Sequence, residues 1–447
     1  MDKLIYMNEV ANSFVWGKYM ILFLLFIGAL LMIRTRFLPF CHMRLIIKKT
    51  LGSLGKKSHK VGVTSFQAVS TALAGTLGVG SIVGVATAIT MGGAGALFWM
   101  CISAILGMMT KYGEVVLAII YREKTPEGYL GGPMTTLEKG CRLPFLGILF
   151  ALFCIFASFG IGNVTPANTI MESIHAYLDV PTLLVGLMIA VVVALVIFGK
   201  GNAIMRFNEI MIPLISIIYI AACIYLIASN GDKIISVCCL IWEDAWNLSS
   251  GVGGVGGFAI SRAIHYGIAR GVFSNEAGMG SSPISHAAVA DVHPVEQGFW
   301  GIFEVFFDTI VVCVLTGFMI LTSGLYESGY DGGALTIQCF EQGFGSIGGI
   351  LFAISILSFA IPSIVGWYYY ASECIRYLFT GKWMLHVYQF IFLALLIIGP
   401  QLDLNFVWNV ADTLNGFMAI PNLLSILILN KDVVKCTQEY IAQYRSD

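Results

Sequence analysis

Charge is what this sequence has least of. Asp, Glu, Lys and Arg make up 11% of its 447 residues, where an average soluble chain carries about 25%. A chain this poor in charge, 57% hydrophobic and with a mean hydropathy of +0.84, is built for lipid. Its net charge of -1 points to no nucleic-acid partner, because in a membrane protein the distribution of charge matters and the sum does not. Metal-ligand spacing is missing too. None of the eleven cysteines stands in a CxxC pair or a Cys/His cluster, and Cys101, Cys154, Cys223 and Cys313 sit in apolar runs as small buried side chains do. No HExxH or paired His/Asp motif marks a membrane enzyme; His265 and His286 stand without a partner motif. The charge order of a signal peptide is reversed: Asp2 and Glu9 precede the first apolar run, Phe14 to Ile33, and Arg34, Arg36, Arg44, Lys48 and Lys49 follow it. That run is therefore expected to remain as a permanent span.

What is present is a series of apolar runs of bilayer-crossing length, about 20 residues each. They fall near 14–33, 66–89, 94–120, 145–169, 182–199, 210–229, 257–288, 298–323, 347–376, 383–400 and 405–429, which predicts eleven spans. With the N-terminus outside, nineteen Lys and Arg residues fall in inner loops and the C-terminal segment, and only Lys3, Lys18 and Lys233 fall outside. Lys111, Arg262 and Arg270 lie within spans. The positive-inside rule then expects a multi-pass protein of the cell membrane with its N-terminus outside and its C-terminus cytoplasmic. The expected organisation is an N-terminal helix and basic loop (1–60), a first five-helix unit (61–229), an outer connecting segment (230–256), a second five-helix unit (257–430) and a cytoplasmic tail (431–447). In the connecting segment, Trp242 and Trp246 suit a membrane interface.

Two spans look broken. The second contains "AGTLGVGSIVG" (74–84) and the seventh "GVFSNEAGMGSSPISHA" (271–287). An unpaired backbone group in hydrocarbon costs several kcal/mol, so irregular backbone at that depth persists only beside a cavity or a ligand. Setting the first span aside leaves two fives, each opening with an interrupted helix, and the odd count inverts one half relative to the other. Interrupted helices in corresponding positions point to a transporter site. Close helix packing through the Gly80–Gly84 spacing is the competing explanation.

Half-helix ends suit the groups of a zwitterion: free N–H groups favour a carboxylate, and free carbonyls favour a small cation. Thr76 and Ser81 add hydroxyls at the first break, and Ser274, Asn275 and Ser281 at the second. Arg270 and Glu276 are either substrate or gating charges, or a structural ion pair or carbonyl clamp bracing the break. Glu304 and Asp308 stand four apart on one face, as coupling-ion ligands or as a hydrogen-bonded helix contact. Pro362 frees a carbonyl beside the Ser363 hydroxyl, and Trp367 shares that face, walling a pocket or lying in an interfacial belt.

The stretches "GVATAITMGGAGALFWM" (84–100), "EGYLGGPM" (127–134), "RGVFSNEAGMGSSPISHAA" (270–288), "EQGFWGIFEVFFDTIVVC" (296–313) and "GWYYYASE" (366–373) together resemble the alanine or glycine:cation symporter family. The resemblance runs over about residues 60 to 430. It implies an all-α polytopic membrane protein of eleven helices, with the leucine-transporter-type five-plus-five inverted repeat and one extra N-terminal helix. It also implies sodium-driven symport of a small neutral amino acid such as alanine or glycine, with sodium as coupling ion and no organic cofactor. Substrate contacts are implied at Gly75, Thr76, Gly78, Gly80, Phe273 and Trp367, and sodium ligands at Ser363 and the backbone of Gly75 and Gly78. Arg270, Asn275, Glu276 and Asp308 are the structural or gating candidates. Departures fall where ligands bind: Val79 and Ser81 stand where the family has Thr and Asn, Pro166 replaces a Gln, and Pro362 replaces a Ser. Proton coupling or a different amino acid is therefore the alternative reading, ahead of a channel or a membrane enzyme.

Overall fold

In hydrocarbon every backbone N–H and C=O must be paired within the segment, so apolar runs fold as helices. The computed structural model describes residues 2–54, 62–126, 128–199, 202–246, 262–401 and 404–446. Nine helices among them are long and apolar enough to cross a membrane. Two of the eleven expected spans fall outside that count. Thr182–Ile197 has only 16 residues, and the seventh span is interrupted, its first expected residues, 257–261, lying outside the described residues.

The first span is bent at Trp16–Gly17, between Asp2–Val15 and α1 (Lys18–Arg34). The first five-helix unit begins with α2 (Ser65–Thr76), started by a capping box in which Thr64 and Gln67 satisfy each other's backbone N–H. The chain leaves helical geometry at Leu77 and Gly78 and resumes as α3 (Val79–Gly92). Then come α4 (Ala96–Ile120), α5 (Pro144–Phe159) continuing through a π-helical turn at Gly160–Val164 into α6 (Thr165–His175), α7 (Thr182–Ile197) and α8 (Ala203–Ser229). A two-stranded hairpin, Glu123–Thr125 with Gly128–Leu130, follows α4.

The connecting segment holds a short helix, α9 (Ile234–Ala245), with Trp242 and the following Trp246 more than half exposed, edge-on to each other and both packed on Phe98; residues 247–256 lie outside the described residues. The second unit opens with α10 (Arg262–Asn275), a non-helical segment at 276–282, and α11 (Pro283–Ala287). It continues through α12 (Pro294–Val305), a π-helical stretch at Phe306–Cys313 and α13 (Val314–Ser323), then α14 (Gly332–Phe344), α15 (Gly348–Leu378), α16 (Lys382–Ile398) and α17 (Leu404–Ser446). The two broken helices lie side by side: α10 packs on α3 and α4, and α15 packs on α2 and α5.

One expected boundary is absent. Residues 431–446, read as a tail, continue α17 without interruption. Val433 is fully buried, the Thr437 hydroxyl meets Tyr112 Oη at 2.7 Å, and Tyr440 Oη donates to Glu296 at 2.7 Å. Its charges, Lys431, Asp432, Lys435 and Glu439, hide this in composition because they fall between the buried positions.

Candidate functional site

Why the glycines of "AGTLGVGSIVG" cluster is answered by what a Cβ would meet. Gly84 faces open space with nothing within 4 Å, and a Cβ on Gly80 would touch the Phe273 ring at an ordinary 3.4 Å. The pair is therefore not a close-packing motif. Gly75 is different: its Cβ would come within 2.9 Å of the Tyr370 hydroxyl, which donates to Thr71 O across the α2–α15 contact. Gly78, at φ −124° and ψ −149°, has a backbone open to other residues, but it caps α3 without any side-chain acceptor, and it faces Ser363. The first-turn N–H groups of α3 have no partner within the helix.

These residues border a cavity of about 40 Å³, room for about three waters. Gly75, Thr76, Gly78 and Gly80 form one wall, Phe273 and Glu276 another, and Ser363 a third. Ile161 of the π turn, Thr165, Pro166 and Asn415 close it. Thr165 Oγ1 and Asn415 Oδ1 are buried there with no protein partner, which is costly unless a ligand or water supplies a donor. Sequence reasoning missed both. It noted the side chain lost at Pro166, whereas the adjacent Thr165 puts a hydroxyl on the same cavity.

Trp367 does not line it. Ser363, Gly366 and Tyr370 form the face of α15 that meets α2, while Trp367 is rotated off that face and packs on Gly162, so tightly that a Cβ there would overlap the Cβ of Trp367. An ion pair between Arg270 and Glu276, one of the options for these charges, is absent among the described residues; the Arg270 guanidinium lies 5.8 Å over the Phe273 ring. Asn275 braces the end of α10, donating to Thr309 Oγ1 at 3.1 Å and accepting from Ala277 N at 3.0 Å.

Asp308 lies beside the cavity, fully buried, and draws the two broken helices together. Ser81 Oγ is 2.6 Å from its Oδ1; Ser274 Oγ and Thr309 Oγ1 are 2.9 and 2.8 Å from its Oδ2. Ser81 Oγ also lies 2.9 Å from Ser274 Oγ and 3.1 Å from Thr76 O. Five close oxygen–oxygen contacts are thus served by three hydroxyl protons. The cluster has more acceptors than donors.

Glu304 takes a separate path, because the second break is braced by a residue outside the expected set. Lys111, in the middle of α4 and 0% exposed, donates to Ser282 Oγ at 2.7 Å and Glu276 O at 3.1 Å, and lies 3.3 Å from Glu304 and 4.0 Å from Glu114. Glu114 Oε1 accepts from Gly278 N at 3.0 Å and from Asn422. Gln297 donates to His286 Nδ1 at 2.7 Å, leaving His286 Nε2 to donate to Glu304 at 3.1 Å. Ser281 donates to Glu276. The segment these groups hold is contorted: Glu276 (φ 51°), Gly278 (φ 96°) and Gly280 (φ 83°) all lie in left-handed space, which for Glu276 costs on the order of 1–3 kcal/mol. The carbonyl clamp read as one option for Arg270 is made by Lys111. A single Lys within a 25-residue apolar helix, three residues before Glu114, was the signal available in the sequence.

A model of the sodium:alanine symporter family matches residues 1–447. The sodium/alanine symporter AgcS of Methanococcus maripaludis is 39% identical over 451 residues, covering 98% of both chains. The amino-acid carrier protein AlsT of Bacillus subtilis is 33% identical over 441 residues, covering 97% of this chain and 92% of its own. Among solved structures, MhsT in complex with L-phenylalanine superposes with a TM-score of 0.58 at 15% identity, over 86% of this chain and 99% of that one, which shows the shared leucine-transporter-type fold. With the family model matched along the whole chain and such relatives across it, the protein is a multi-pass membrane transporter of the sodium:alanine symporter family.

Proposed function

We propose that the protein couples sodium entry to uptake of a small neutral amino acid, alanine or glycine, by alternating access around the cavity between its two broken helices. The observation that carries this is the cavity's inventory: amides of an uncapped helix start on one side, and two unpartnered buried acceptors, Thr165 Oγ1 and Asn415 Oδ1, on the other. Helix-start amides with their partial positive charge suit a carboxylate, and the acceptors suit an ammonium group. Space for about three waters leaves no room for a long side chain, and Ile161, Pro166 and Phe273 offer it an apolar wall. The one ionisable residue among the described lining is Glu276, already engaged by Ser281, which favours a neutral side chain.

Sodium suits two oxygen sets. One is the Ser363 hydroxyl beside the backbone of Gly75 and Gly78. The other is Asp308 with Ser81, Ser274 and Thr76 O, whose donor deficit a hard cation would relieve. The expected membrane orientation, N-terminus outside, belongs to this reading and rests on the Lys and Arg distribution between the loops.

Reconstitution into proteoliposomes with sodium and proton gradients imposed separately tests it. Labelled alanine or glycine should accumulate above its bath concentration under an inward sodium gradient alone. Accumulation indifferent to sodium and driven by protons would replace the coupling ion, and uptake that only equilibrates would mean a channel. In that assay Ser363→Ala should raise the sodium concentration for half-maximal uptake about tenfold, the worth of one contact to a charged group. Asp308→Asn should raise it about a hundredfold or more, since it removes the charge as well as a ligand. An unchanged sodium dependence in either variant removes that residue from the ion site.

A further inference from the structure

A second cavity, of about 310 Å³, lies far along the chain from the broken helices, between the end of α1 and the last turns of α17. Arg34, Arg36 and His42 line it from one side, with Gln438 and Ile441 from the other. No Asp or Glu is among its lining residues, and neither arginine makes an ion pair among the described residues. The nearby lysines are differently placed: Lys49 lies 2.6 Å from Glu296, and Lys48 Nζ is 3.5 Å from Tyr444 Oη. Two formal positive charges thus converge on one concavity, while the charge of neighbouring Lys49 is already matched by Glu296.

The backbone works to make this arrangement. Arg36 and Phe37 are consecutive residues in left-handed space, φ 57° and 56°, a conformation costly for side chains of this size. Their N–H groups bond back to Ile33 O and Met32 O, ending α1 and reversing the chain into two short helices, Leu38–Cys41 and Met43–Lys49. The reversal leaves Ile33, Phe37, Phe40 and Met43 exposed at 64%, 52%, 55% and 44%. Exposed apolar side chains bordering a basic concavity at the end of a membrane span match the two parts of a lipid, acyl chain and charged headgroup.

We propose that this cavity is a binding site for an anionic phospholipid, its phosphodiester held by Arg34 and Arg36 and its acyl chains lying along Ile33, Phe37 and Phe40. A zwitterionic headgroup brings its own cation and leaves the two guanidinium groups unmatched; a free phosphate leaves the apolar border uncovered. Because α17 also supplies Asn415 to the first cavity, the lipid would fix the far end of a helix that closes the substrate site. The proposal does not rest on which amino acid is carried.

The test uses the purified full-length protein in a neutral detergent, followed by thermal unfolding during titration with phosphatidylglycerol, phosphatidylcholine or inorganic phosphate. Phosphatidylglycerol should raise the midpoint saturably, and the other two should not. In Arg34→Gln/Arg36→Gln the apparent affinity for phosphatidylglycerol should fall about 25-fold, roughly fivefold for each arginine. Ala442→Phe, at an exposed position on the cavity rim, should weaken binding by filling the space with all charges intact, and it decides the matter should the double variant not fold. Lys18→Gln, at an exposed position at the opposite end of α1 from Arg34, should bind as wild type does. Equal stabilisation by phosphate would make this a soluble-anion site, and phosphatidylglycerol binding unchanged in both cavity variants would overturn the assignment.

Discussion

Gly78→Leu is expected to abolish uptake while leaving the protein inserted and folded. The reason is local. Gly78 caps α3 with a negative φ of −124°, outside the left-handed region that favours glycine. The leucine side chain would enter a cavity with room for only about three waters, and the nearest atom to a Cβ, Ser363 Oγ, is already at 3.4 Å. The isobutyl group would thus occupy the space of the substrate carboxylate and screen the helix-start amides. A loss of at least a hundredfold in labelled uptake is expected, with detergent-extracted protein that elutes as wild type does. Gly84→Ala supplies the contrast, because a Cβ there meets nothing within 4 Å; its uptake should stay within about twofold of wild type, since the added methyl displaces no neighbour. Uptake by Gly78→Leu near the wild-type rate would remove the break from the substrate path.

The same glycines mark how far the sequence could be read. Length, hydropathy and loop charge carry the helix series and both interruptions, because a backbone in lipid has so few alternatives. The family resemblance points to Gly75, Thr76, Gly78, Gly80, Phe273 and Ser363, and all six line one cavity. What was not legible depends on rotation about helix axes and on partners remote in sequence. Trp367 sits four residues after Ser363, close enough in angle to suggest the same wall, yet the small Gly162 of the π turn draws it to another neighbour. A π-helical stretch adds a residue within a turn, and no periodicity in Gly160–Val164 or Phe306–Cys313 announces it. Asn415 and Thr165 are inconspicuous polar residues until the fold leaves them without partners. The continuation of α17 past residue 430 was hidden for a related reason: charge spaced between buried positions reads as a soluble tail.

Lys111→Met is expected to have the largest effect on stability, because it upsets a buried charge balance. Two carboxylates, Glu304 and Glu114, lie within 4.0 Å of one ammonium group, which also donates to the Glu276 backbone carbonyl, inside a region of 0% to 3% exposure. Removing one partner of a buried ion pair costs about 3–5 kcal/mol, because the remaining charge stays desolvated. Here Glu276 O and Ser282 Oγ also lose their donor, and they belong to the segment whose left-handed residues store strain. The break between α10 and α11 should therefore lose its hold on α4, and with it the wall that carries Phe273 and Glu276. Thermal unfolding in detergent should show a midpoint lowered by about 3–5 °C, the shift that such a loss produces in a chain of 447 residues. Lys111→Met/Glu304→Gln separates charge from shape: neutralising the nearest carboxylate should recover part of that loss, because the uncompensated charge is what costs most. A midpoint for Lys111→Met within a degree or two of wild type would mean the ammonium is no brace, and a double variant less stable than the single would mean the damage is steric.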